Sequence, residues 1–79
     1  MNNNDKMLAQ FGADWVKVRE YLGARDSWTI PYMPWFMVQI EKVTGVPANT
    51  VKSILDYGLQ IELFRKTLDR DEIEFTPIE

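Results

Sequence analysis

Apolar residues recur along the chain with two different periods. Leu8, Phe11, Trp15, Val18 and Leu22 fall alternately three and four positions apart, which is one face of a helix. Val16 and Tyr21 widen that stripe, while Lys17, Arg19 and Glu20 lie off its centre. Gly12 interrupts the run at a cost of about 1 kcal/mol relative to alanine, so a break is predicted there, with Asp14 re-capping and Gly23 as the stop. The polar start, residues 1–4, is expected to be disordered, and Asn3, Asn4 or Asp5 to cap the first helix. A second helix is predicted over Trp35–Thr44, opened by Pro34, whose fixed φ and missing donor suit a first turn. Its inner face is Phe36, Ile40 and Val43, flanked by Met37 and Val38, and Gly45 ends it. Val46-Pro47 opens a third helix with Val51, Ile54 and Leu55 inward and Gly58 as its stop.

Elsewhere the period drops to two. Trp28, Thr29 and Ile30 favour a short strand closed by Pro31. In Gln60–Thr67, Ile61, Leu63 and Arg65 point one way and Glu62, Phe64 and Lys66 the other. Ile73 and Phe75 alternate with Glu72, Glu74 and Thr76 over Glu72–Pro77. The joint Leu68–Asp71 has neither Gly nor Asn, so a four-residue loop is predicted rather than a two-residue turn. The order is helix, strand, helix, helix, strand, strand. This is a mostly α member of the α+β class, a three-helix core closed by a small antiparallel sheet.

Composition narrows the chemistry. The 79 residues are 46% hydrophobic and 13% aromatic, enough to bury a core in one domain over residues 1–79. With no cysteine and no histidine, the common zinc and iron–sulfur sites lack their ligands, and thiolate nucleophiles and imidazole bases are missing. Glu72 and Glu74 share a strand face without catalytic companions, so the chain reads as neither an enzyme nor the holder of a metal or cofactor. The formal net charge is −3, which argues mildly against nucleic acid. The charge is uneven, however. The last nine residues carry Asp71, Glu72, Glu74 and Glu79 with no base, and residues 77–79 form an acidic end. Residues 36–70 hold five bases against four acids and are free to present a basic surface. No secretory signal or membrane span is legible, so a cytoplasmic location is expected.

The most informative stretch runs from Ile40 to Leu55. It has an apolar residue late in the first helix (Ile40), glycine at the turn (Gly45), an apolar plug after it (Val46), and apolar positions at fixed distances into the next helix (Val51, Ile54). This run resembles a helix-turn-helix, and Thr44-Gly45-Val46-Pro47 followed by Thr50-Val51 and Ile54-Leu55 looks like the winged helix-turn-helix regulators of bacteria or phage. The resemblance implies a helix-turn-helix core with a β-hairpin wing, the strand at Trp28–Ile30 pairing with that wing. It also implies a sequence-specific transcriptional regulator or repressor that binds double-stranded DNA as a homodimer. Ala48, Asn49, Lys52 and Ser53 would face the major groove, Asn49 suited to adenine and Lys52 to guanine or phosphate. Thr50 and Lys42 would contact the backbone, and Arg65, Lys66 and Arg70 on the wing would reach phosphate or the minor groove. The start of the second helix of the motif would favour one phosphate. Two residues depart from the pattern. Glu41 stands where a small residue normally lets the helices approach, so either the helices cross further apart or Glu41 tilts outward. Asp56 lies late on the DNA-facing side.

The aromatic cluster around Pro31 and Pro34, made of Trp28, Tyr32, Trp35 and Phe36, reads first as core and, in a sharper reading, as an exposed patch for a partner or a homodimer. Tyr32, Met33, Trp35, Phe36, Met37 and Val38 are too many large apolar groups for one helix face to bury, and aromatic residues with methionine are frequent on binding surfaces. Tyr32, Trp35 and Met37 are therefore candidates for docking a protein partner.

Overall fold

The computed structural model describes residues 2–25, 29–67 and 72–75. Among these are four helices and three strands: α1 (Asn3–Phe11), α2 (Ala13–Gly23), β1 (Thr29–Pro31), α3 (Pro34–Thr44), α4 (Ala48–Gln60), β2 (Phe64–Lys66) and β3 (Glu72–Phe75). The mostly α, α+β class is as expected, with four helices rather than three because the break at Gly12 separates α1 from α2. Asp14 lies in the first turn of α2 without capping it. Asn3 and Asn4 are the first residues of α1, and Asn2 caps it by accepting the Asp5 amide at 2.8 Å. The break rotates α1 relative to α2, so that Met7 is buried while Leu8 is 38% exposed.

The sheet is antiparallel with order β1-β3-β2. Ile30 pairs with Ile73, and Phe64, Arg65 and Lys66 face Phe75, Glu74 and Ile73. Pro31 is tolerated because β1 is an edge strand. The predicted loop 68–71, with Arg70, lies outside the described residues, as do Trp28 and the acidic residues 77–79.

The core runs between helices and sheet. Trp15, Val18 and Leu22 of α2, Phe36, Met37 and Ile40 of α3, and Val51, Ile54 and Leu55 of α4 meet Ile30, Phe64 and Ile73 of the strands. One inward assignment on α3 is corrected: Val43 is 64% exposed, and Met37, expected only to flank the inner face, is buried in its place. Packing α3 against both α2 and α4 turns its inner face toward the Met37 side.

Gly58 does not stop α4. The helix continues to Gln60, and Gly58 is buried under the ring of Phe64. A Cβ there would lie 2.1 Å from Phe64 Cδ2. Beyond the helix, the only positive φ at a non-glycine residue among those described is at Glu62, 66°, and the Leu63 amide returns to the Gly58 carbonyl at 2.9 Å. The strand predicted from Gln60 is thereby shortened to Phe64–Lys66. The simple alternation also fails: Leu63 and Phe64 are both buried, and Arg65 and Lys66 are both exposed. Gly58→Ala is expected to destabilise the fold. Overpacking costs about 1–3 kcal/mol and the better helix propensity returns about 1. Because the Phe64 ring is itself buried and has little room to move, the overpacking cost should dominate. A lower urea midpoint with an unchanged slope would be the reading.

Candidate nucleic-acid interface

Three residues, Gly45 to Pro47, connect α3 to α4. Gly45 has φ 83°, the left-handed region that glycine enters without a Cβ penalty, and its amide caps α3 on the Glu41 carbonyl at 2.8 Å. Thr44 Oγ1 donates to the Ile40 carbonyl at 2.7 Å and accepts from the Val46 amide at 3.2 Å. Val46 is buried as the expected plug. Pro47 supplies no side-chain cap to α4. Glu41 does so instead: it is exposed, and its Oε1 accepts the Ala48 amide at 3.2 Å. Of the two alternatives for Glu41, the outward tilt is the one found. The cap also has a cost for anions, since a carboxylate now holds one of the amides expected to meet a phosphate.

With Val51, Ile54, Leu55 and Gly58 buried, the opposite face of α4 is presented outward. Asn49, Lys52 and Ser53 are exposed there, Ala48 and Thr50 are half-buried, and Lys42 is exposed in the last turn of α3. Ser53 Oγ donates back to the Asn49 carbonyl at 3.1 Å. Lys52 is not a free cation. Its Nζ lies 2.9 Å from Asp56 Oδ2, and the Tyr32 hydroxyl donates to Asp56 Oδ1. Burial pushes the Asp56 carboxyl up, but the hydrogen bonds from Tyr32 and Lys52 and the Lys52 charge outweigh it, holding it below its ordinary value. The hydrogen bond to Asp56, reinforced by burial, raises the Tyr32 phenol, and the Asp56 carboxylate likewise raises the Lys52 ammonium. The Lys52–Asp56 spacing of four is legible in the sequence. The Tyr32 contact, 24 residues away, has no local signal.

The structure brings the two predicted surfaces together. A groove of about 290 Å³ between α3 and α4 is lined by Tyr32, Pro34, Met37, Val38, Ala48, Asn49 and Lys52, so candidate partner residues and candidate base readers share one site. Of the partner set, Trp35 is 57% exposed and Tyr32 half-buried. Met37 is only 6% exposed, so it forms part of the groove floor rather than a projecting contact. The hairpin cations lie apart. Arg65 and Lys66 border a cleft with Leu59, Glu62 and Phe64, near the far end of α4, roughly 15 Å from Asn49 at 1.5 Å rise per residue. Arg65 stands opposite Glu74 across the strands.

Among the described residues no cluster of acidic groups is placed to hold a metal ion, and no helix is long and apolar enough to cross a membrane. Comparison of the chain with family models, with curated proteins and with solved structures finds no match.

Proposed function

We propose that the protein is a winged helix-turn-helix DNA-binding regulator, acting as a dimer in the cytoplasm, with α4 as the helix that enters the major groove. The observation that carries this reading is the presentation of α4. Its apolar side is buried, and Asn49, Lys52 and Ser53 stand exposed near its start, after a left-handed glycine turn. The antiparallel β2 and β3, with β1 paired to β3, support the reading of this pair as a wing, with Arg65 and Lys66 exposed beside the cleft at the far end of the same helix. Side chains of these types read base edges and phosphates.

The test is a mobility shift on mixed-sequence duplex DNA at low salt, followed by a salt titration. Binding is expected, weakening with salt on a log–log slope no steeper than about −5, since the candidate cations are Lys42, Lys52, Arg65 and Lys66 among the described residues and Arg70 beyond them. Absence of any salt-dependent shift would overturn the reading. The groove and the exposed Trp35 support a second reading, docking of a protein partner. Under that reading Trp35→Ala removes partner capture, whereas under the first it leaves the DNA shift unchanged.

A further inference from the structure

The geometry points to a small-molecule site in the groove between α3 and α4, one that takes a ring-sized apolar body carrying a single carboxylate. The groove measures about 290 Å³, at the small end of ligand pockets, which run from about 300 to 1,000 Å³. An apolar cavity of about 150 Å³ already admits benzene, so the space suits one ring with a short substituent. Pro34, Met37 and Val38 of α3 form one wall, Ala48 of α4 faces them, and the Tyr32 ring adds to the lining. Carbon makes up nearly all of that surface. Water there finds few hydrogen-bond partners, so an apolar group displaces it favourably. A helix docking in a groove needs a trough long enough for anchors spaced over two turns. This volume holds one such anchor, which selects a free small molecule.

The rim sets the charge of the occupant. Lys52 is the one charged residue of the lining. Since the lining is carbon, Lys52 gives its methylene stem to the wall and its ammonium stands at the edge. That ammonium has three N–H donors, and the contact to Asp56 Oδ2 at 2.9 Å occupies one. The exposed Asn49 side-chain amide makes no hydrogen bond among the described residues and adds two donors. The carboxylates of Glu41 and Asp56 do not line the groove, and both are engaged. Glu41 accepts the Ala48 amide, and Asp56 accepts from Lys52 and from the Tyr32 hydroxyl. The Tyr32 bond takes up part of the Asp56 charge and leaves the Lys52 ammonium able to bridge to a second carboxylate. Free donors thus outnumber free acceptors at the rim, and an acid fits where an amine does not. Asn49 and Lys52 are also the residues assigned to base reading, so ligand and duplex would exclude one another. That consequence rests on the DNA-binding reading, whereas the site itself does not.

Titration of the full chain followed by amide NMR tests the proposal, with phenylacetate and cyclohexylacetate as probes. Both are expected to shift the amides of Met37, Val38, Ala48 and Asn49 saturably, with Kd on the order of 1 mM, as suits ligands of about ten heavy atoms. Phenylacetamide keeps the ring and drops the charge, and is expected to bind about tenfold more weakly. Acetate, without the ring, should not saturate. Lys52→Met should abolish the preference for the acid over the amide. Val38→Asp should abolish binding of every ring-bearing probe with circular dichroism unchanged, because Val38 is 42% exposed. No saturable shift with either acid up to about twenty times that Kd, shifts that map away from the groove, or an acid preference that survives Lys52→Met would overturn the proposal. In a duplex mobility shift at matched ionic strength, either acid at about ten times its Kd is expected to weaken DNA binding about elevenfold. DNA binding that the bound acid leaves unchanged would overturn the mutual exclusion. Ligand binding without any DNA binding would overturn the regulator reading alone, and DNA binding without ligand binding this inference alone.

Discussion

Trp15→Ala is expected to lower stability by about 3–5 kcal/mol and the melting temperature by roughly 15–30 °C. The residue is 1% exposed, and its ring meets Phe64 edge-on with centroids 6.3 Å apart. Its Nε1 donates to Asn4 Oδ1 at 2.9 Å, which ties the start of α1 to α2. Deletion therefore opens a cavity beneath the sheet and frees α1 at once. A chain of this length has a total stability of about 4–12 kcal/mol, so the loss consumes a large share of it. Thermal melts followed by circular dichroism would measure the change. Asn4→Ala, which removes only the hydrogen bond, is expected to cost about 1 kcal/mol. Equal losses for the two variants would mean that the hydrogen bond rather than the ring organises this corner.

Local chemistry makes much of the fold legible. Pro34 and Gly45 bracket α3 as their backbone preferences dictate, and Val51, Ile54 and Leu55 lie inward as their spacing predicts. Pairing of β1 with a strand of the hairpin also matches the expected plan. Local patterns mislead where tertiary contact overrides local preference. Gly58 looks like a helix stop in isolation, but Phe64 needs its bare Cα as a seat, so glycine is there for close approach. Val43 has helical spacing for burial, yet α3 must face two helices at once and turns Met37 inward instead.

The candidate site divides along the same line. Exposure of Asn49, Lys52 and Ser53 results from burial of the opposite face of one helix, which periodicity reveals. Other features need the third dimension. In sequence, Asp56 is a repulsive intruder on a helix expected to face DNA, but in the fold Lys52 and Tyr32 satisfy it. Glu41 reads as an obstacle to helix crossing, but it caps α4. Both carboxylates therefore have structural roles that temper the positive potential at the start of α4. That is consistent with the modest salt slope expected for this chain.

Asn49→Ala combined with Lys52→Ala is expected to remove most sequence-specific duplex binding. Each well-formed base contact is worth about 1–3 kcal/mol, so the pair corresponds to roughly 30- to 25,000-fold in affinity. Both side chains are exposed, so the melting temperature should change little. What Lys52 loses in the variant is an exposed ion pair, a type that contributes little to stability. Asp56→Asn is expected to act in the opposite direction. It removes the carboxylate that holds Lys52 Nζ at 2.9 Å while leaving an amide oxygen to accept from Tyr32. Lys52 then reaches the nucleic acid without competition, and affinity should rise by a factor of a few, with a salt slope steeper by about one phosphate. These two outcomes together distinguish base reading by α4 from nonspecific attraction to the hairpin cations. In the latter case the double variant would bind nearly as wild type does, and only Arg65→Ala with Lys66→Ala would weaken the complex.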